Sequence, residues 1–85
     1  MRVSLEFFGP ISDRMRGTAP DIEIATAPRN AGALADYIAR ALPGGENLKD
    51  PHLRMAINDT LANRDDIVEL ANGDRIAFLS PFSGG

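Results

Sequence analysis

The chain has no cysteine. That excludes disulfides, thiolate metal sites and a cysteine nucleophile. It has one histidine, His52, behind Pro51 in a polar stretch. With no second histidine and no cysteine to join it, His52 reads as a surface residue rather than a metal ligand. No apolar run approaches the ~18 residues that a membrane span requires. The opening "MRVSLEFF" alternates at once and lacks the apolar core of a signal peptide. The expected location is therefore cytoplasmic. An excess of positive charge is missing too: 9 Lys+Arg stand against 12 Asp+Glu, a net charge of −3. That balance argues against nucleic acid or an anionic membrane as a partner, because both want a basic face.

Catalytic equipment is equally sparse. Ser4, Ser12, Ser80 and Ser83 have no plausible His/Asp partners for a nucleophilic triad. Asp65-Asp66, with Glu69 nearby, could pass for a carboxylate pair, but adjacent side chains point apart and no complementary acid or base accompanies them. They read as a solvated turn. "PGGENLK" lacks the GK[ST] ending of a phosphate loop and does not lie between a strand and a helix in the right order. The expectation is a protein that catalyses nothing by itself.

What is present is a small globular pattern. Eighty-five residues, 44% hydrophobic and 25% charged, suit one domain. A chain of this size buries roughly 60–65% of its unfolded surface, so its core is modest. In "RVSLEFF", Val3, Leu5 and Phe7 share one face and Ser4, Glu6 and Phe8 the other, which predicts a half-buried strand. Gly9-Pro10 stops it, and "ISDRMRGTAP" reads as a loop anchored by Ile11 and Met15. "DIEIATA" alternates again, with Ile22 and Ile24 on one face, so an antiparallel hairpin with the first strand is economical. Asn30 is placed to cap a helix over "AGALADYIARAL", where Leu34, Ile38 and Leu42 form a narrow stripe flanked by Ala35 and Ala41. Pro43-Gly44-Gly45 ends it. "ENLKDPH" reads as a polar connection, and "LRMAIND" as a third strand with Met55 and Ile57 inward. "DTLANRDDIVELANGDR" reads as mostly turn, with a short apolar piece around Ile67, Val68 and Leu70 and a strong turn signal at Asn72-Gly73-Asp74. "RIAFL" is the last strand.

The order strand, strand, helix, strand, short elements, strand leaves one helix to cover one face of a small mixed sheet. That is an α+β β-grasp, with its first and last strands side by side at the centre. It predicts a β-grasp domain over 1–80 and a C-terminal tail over 81–85. Phe8 and Leu79 fall on the outward faces of those two strands. Together with Leu61 and Phe82 they predict an apolar docking surface on the side that the helix does not cover.

The tail is "SPFSGG". Glycine makes up roughly 7% of average usage, so a terminal pair arises by chance in about one chain in 200. Residues without a Cβ can pass through a narrow slot and take up unusual dihedrals. Fully extended, Pro81, Phe82, Ser83, Gly84 and Gly85 reach up to roughly 17 Å. They offer an unhindered α-carboxylate that becomes reactive once activated, for example as an acyl adenylate. Phe82 would set how far the tail enters a partner.

"VSLEFFGPI", "AINDTLA" and "NGDRIAFLSPFSGG" resemble the MoaD family, the small, ubiquitin-like sulfur-carrier subunits of molybdopterin synthase. The likeness spans nearly the whole chain and is most specific at the closing segment; the helix matches in pattern only. The resemblance implies that Gly85 is adenylated with ATP by a ubiquitin-activating-like adenylyltransferase. It then becomes a thiocarboxylate (a C-terminal thioglycine) with sulfur from a persulfide donor. The tail then enters the large synthase subunit and gives the sulfur to cyclic pyranopterin monophosphate, building the dithiolene that later holds molybdenum. The resemblance also implies that the fold is a ubiquitin-like β-grasp, that no cofactor is bound, that catalytic side chains belong to the large subunit, and that Phe8, Leu61 and Leu79 form the docking face. One departure is plain: where the family has Pro-Pro before a small branched residue, this chain has Ser80-Pro81 before the larger Phe82. Alternatives share the activation chemistry. They are a carrier for thiamine, for cysteine or another metabolite, or for tRNA thiolation; a ubiquitin-like modifier joined through Gly85 to lysine; or an adaptor with an inert tail.

Overall fold

The computed structural model describes residues 1–17 and 20–80. Five strands, two helices and a 3-10 turn follow in the order β1 (Arg2–Phe8), α1 (Ile11–Arg14), β2 (Asp21–Glu23), α2 (Ala31–Ala41), the 3-10 turn (Gly45–Lys49), β3 (Arg54–Ile57), β4 (Thr60–Ala62) and β5 (Arg75–Leu79). The strands form one mixed sheet in the order β2-β1-β5-β3-β4. β1 and β5 run parallel at its centre, and β2, β3 and β4 pair antiparallel with their neighbours. The expected β-grasp architecture is present.

The alternation in β1 and β5 decides which face is core. Val3 and Leu5 are buried, and so are Ile76 and Phe78 in register with Leu5 and Phe7. Phe7 and Phe78 stack with ring centroids 5.9 Å apart. α2 lies over this face and contributes Ala31, Leu34, Ile38 and Ala39 to the core. Its start is the one Asn30 promises: the Asn30 backbone is extended, and its side-chain oxygen accepts from the Ala33 N–H at 2.8 Å. The buried stripe ends differently from the expectation. Ala39 is buried, whereas Leu42 is only half-buried at the C-cap and Ala41 is exposed. The chain turns there, and Gly45 tucks so tightly under the helix that a Cβ would lie 1.8 Å from the Ala39 carbonyl oxygen.

Three short elements replace segments expected to be irregular. Ile11–Arg14 is one helical turn that buries Ile11, with Met15 just beyond it. Gly45–Lys49 is a 3-10 turn that buries Leu48. Thr60–Ala62 is a strand because Asn58 and Asp59 both adopt positive φ, 50° and 72°, and fold β3 and β4 into a two-residue hairpin. That turn is tied to β5. The Arg75 N–H donates to the Asn58 side-chain oxygen at 2.9 Å, and the Asn58 amide donates to Asp74 at 3.0 Å.

Candidate functional site: the open sheet face and the exit of the last strand

On the side away from α2, the register lines up the outward residues of four strands. Phe8 of β1 sits beside Leu79 of β5, and Leu79 beside Arg54 of β3. One pleat back, Glu6, Ala77, Ala56 and Leu61 form the next row across β1, β5, β3 and β4. Phe8 is 49% exposed and Leu61 55% exposed, although both are large and apolar. Adjacent strands lie ~4.8 Å apart, so Phe8 and Leu79 touch neighbouring positions while Leu61 stands about 10 Å beyond Leu79. The structure therefore brings three of the four expected docking residues onto one face. Phe82, with Pro81, Ser83, Gly84 and Gly85, lies outside the described residues.

One member of this face, Ala56, was not anticipated. Ala56, which is buried, lies between Ala77 and Leu61 in the second row. The signal was present in the alternation, but small side chains carry too little hydrophobicity to stand out. Ile67 is a further exposed apolar residue, 81% exposed at the sheet edge beside β4. It lines a small cleft of about 240 Å³ with Leu61 and Val68.

The corner from which the tail leaves is closely built. The Ser80 N–H donates to the Phe8 carbonyl at 3.0 Å and extends the β1–β5 pairing by one bond. The Ser80 hydroxyl oxygen accepts from the Ile11 N–H at 2.8 Å. Gly9 makes this possible: its φ is +82°, and a Cβ there would lie 2.4 Å from the Ser80 carbonyl oxygen. The strand-stopping Gly9-Pro10 thus also forms the seat for the last described residue.

Among the described residues, nothing around this face resembles a reaction centre. His52 is exposed, and its backbone N–H donates to the Asp50 carboxylate at 2.8 Å. Asp66 accepts from the Asn63 N–H at 2.8 Å in a turn. Among the described residues no group of three or more His, Asp or Glu could hold a metal ion. A larger cleft, about 700 Å³, lies on the helix side between α2 and the 3-10 turn, lined by Asp36, Arg40, Lys49, Met55, Arg64 and Phe78. Arg64 and Asp36 bridge across it at 3.4 Å. Two carboxyls are shifted. Glu23 is held below the ordinary carboxylate range, chiefly by the hydrogen bond from the N-terminal ammonium. Asp74 is held down by hydrogen bonds from the Asn58 side chain and then the Ala71 N–H. Both serve structure at the far end of the sheet. Among the described residues no helix is long and apolar enough to cross a membrane.

Comparison with known proteins agrees with this architecture. No curated protein matches the sequence. Among solved structures, a chain from the protein-protein complex of subunits 1 and 2 of molybdopterin-converting factor from Helicobacter pylori 26695 is similar, with TM-score 0.59, 27% identity and full coverage of both chains. SAMP1 from Haloferax volcanii superposes with TM-score 0.69 at 16% identity, again over both full chains. A second structure of that small archaeal modifier protein 1 gives 0.64 at 13% identity, covering 94% of this chain and 97% of its own. These last two speak for the fold alone. The ThiS family profile matches residues 6–85, and the chain belongs to the ThiS family.

Proposed function

We propose that this member of the ThiS family is the sulfur-carrier subunit of a molybdopterin synthase, with Gly85 as the group that is activated and loaded. The observation that carries the reading is the pairing of Phe8 with Leu79 on the open face, one residue before Ser80, the last residue of the domain ahead of the tail. A docking patch sits at the root of a narrow, Gly-ended lead. The 27% identity to a molybdopterin-converting factor chain over its full length supports the choice of acceptor.

In this reading the carrier supplies presentation and its partners supply catalysis. An adenylyltransferase grips the Phe8/Leu79/Leu61 face. A carboxylate oxygen of Gly85 attacks the α-phosphorus of ATP and releases pyrophosphate. The outer sulfur of a persulfide donor then displaces AMP to give an acyl disulfide. A second thiol attacks the donor's inner sulfur, the S–S bond breaks, and donor and thiol leave joined as a disulfide. The end is left as a thiocarboxylate. The same face next docks on the large synthase subunit, and the tail delivers sulfur to cyclic pyranopterin monophosphate. Phe82 acts as a depth stop for the tail. Residues 1–80 form the presenting domain, 81–85 the delivered segment, and no cofactor is held between them.

Mass spectrometry of the protein from its native host tests this reading. The expected result is the mass gain of one oxygen replaced by sulfur, with fragmentation placing it on Gly85 rather than on an oxidised methionine. A Gly85 deletion that retains full carrier activity would overturn it. Restoration of dithiolene formation with a large synthase subunit supports molybdopterin as the product, whereas loading without restoration points to another sulfur acceptor. Lysine conjugates bearing a Gly-Gly remnant would instead mark a protein modifier.

A further inference from the structure

Ser80 is held more firmly than the end of a strand requires. A strand end needs only its backbone bond, here the Ser80 N–H to the Phe8 carbonyl at 3.0 Å. Ser80 adds a side-chain bond, accepting from the Ile11 N–H at 2.8 Å. Its hydroxyl also lies 3.4 Å from the Phe8 carbonyl oxygen, within reach to donate. The Ile11 N–H belongs to the first turn of α1, where backbone donors have no partner inside the helix. The Ser80 hydroxyl supplies that partner from 69 residues away in sequence. The third restraint is steric. Gly9, in a left-handed conformation, leaves room for the Ser80 carbonyl that no side chain would leave.

Together these contacts fix the chain at one point beside the exposed ring of Phe8. We infer that Ser80 is a positioning residue for chemistry at Gly85: its hydroxyl locks the root of the tail to the Gly9-Pro10 corner, so that docking of the Phe8/Leu79 face places the tail in one register. This rests on the reading of Gly85 as the activated end. The physical reason is effective concentration. A reactive group on a short lead gains from a fixed origin, and an origin that slips spreads the group over a larger volume. Docking affinity depends on the patch, whereas delivery depends on the root. A residue such as alanine at that position, without a hydroxyl, would leave the Ile11 N–H to water and hold the strand end by its backbone bond alone.

The test uses full-length wild type, Ser80→Ala and Ser80→Thr. ATP–pyrophosphate exchange is measured with the organism's own C-terminal-glycine adenylyltransferase. Amide hydrogen exchange is followed at Ile11 and, as a remote control, at Ile24, whose N–H bonds the Met1 carbonyl. Ser80→Ala is expected to lower kcat about 3- to 10-fold, the range set by one lost hydrogen bond, with KM within about twofold. It is also expected to speed exchange at Ile11 and leave Ile24 unchanged. Ser80→Thr keeps the hydroxyl and should restore both. An unchanged kcat, an effect confined to KM, equal acceleration at Ile24, or no rescue by threonine would each overturn the proposal. If wild type itself supports no exchange of pyrophosphate, the reading of Gly85 fails. The Ile11 amide then still decides whether Ser80 holds the root: protection lost in Ser80→Ala upholds the lock, and protection kept removes it.

Discussion

The two faces of the sheet are made from the same strands and have opposite fates. Residues on the inner face, such as Leu5, Ile76 and Phe78, are buried under α2. One residue along on the same strands, Phe8 is half exposed, with Leu79 and Ala77 beside it. Hydrophobicity alone does not separate the two sets, since Phe7 and Phe8 are the same residue type in adjacent positions. Only the phase of the pleat does. An inner apolar residue contributes to stability by leaving water on folding. An outer one remains in water in the free protein, so its benefit is realised only when a second molecule covers it.

The largest effect should come from the inner face. Phe78→Ala removes a ring that is 2% exposed and stacked on Phe7. It is expected to cost about 3–5 kcal/mol, a large share of the stability of a domain this size, and thermal unfolding will show it. Retention of the wild-type Tm would break the assignment of core and surface. The mirror experiment on the outer face is Phe8→Asp. Stability should stay within about 0.5 kcal/mol, as for most surface changes. Binding to the adenylyltransferase or large subunit, measured by calorimetry, should weaken by at least ~1 kcal/mol, as for loss of an aromatic anchor. A fall in Tm comparable to that of Phe78→Ala would mean that Phe8 is core.

The smallest effect concerns acid. Asp74 and Glu23 have depressed native values, so the unfolded chain binds more protons than the folded one as pH falls. Their contribution is complete above the unfolded value, about pH 4, and is lost as pH drops through the folded values. Thermal melts in that window should decline slightly, and Asp74→Asn should flatten part of the decline. A steeper loss in Asp74→Asn than in wild type would contradict the sign.

The long periodic segments could be read directly because side-chain spacing reports on burial. β1, α2 and β5 each repeat an apolar position often enough to show it, and Asn30 announces the helix by its capping chemistry. The short elements could not. β4 has one large apolar residue, Leu61, and that residue faces outward; its strand exists because Asn58-Asp59 reverses the chain, a turn signal weaker than Asn-Gly. α1 and the 3-10 turn bury one or two residues each, too few to show a period. Leu42 looked like the last rung of the helix stripe, but the Pro43-Gly44-Gly45 turn starts there and Ala39 takes the covered position. The outward placing of Phe8 and Leu79 was legible from strand phase; that of Leu61, expected from the resemblance, was not, because its segment reads as turn. The role of Ser80 was not, because its partner Ile11 is distant in sequence and the bond exists only once β1 and β5 are side by side.

The parallel pairing of β1 with β5 has a consequence for the order of events in the cell. The centre of the sheet joins Ser4 to Arg75 and Phe8 to Leu79, so it cannot form until almost all of this sequence has left the ribosome. Contacts this distant in sequence close late and make folding comparatively slow. A nascent or misfolded chain holds Phe8 and Leu79 apart and has no composite patch to offer. Under the proposed function, an enzyme gripping both residues at once would inspect the finished fold before committing ATP to Gly85.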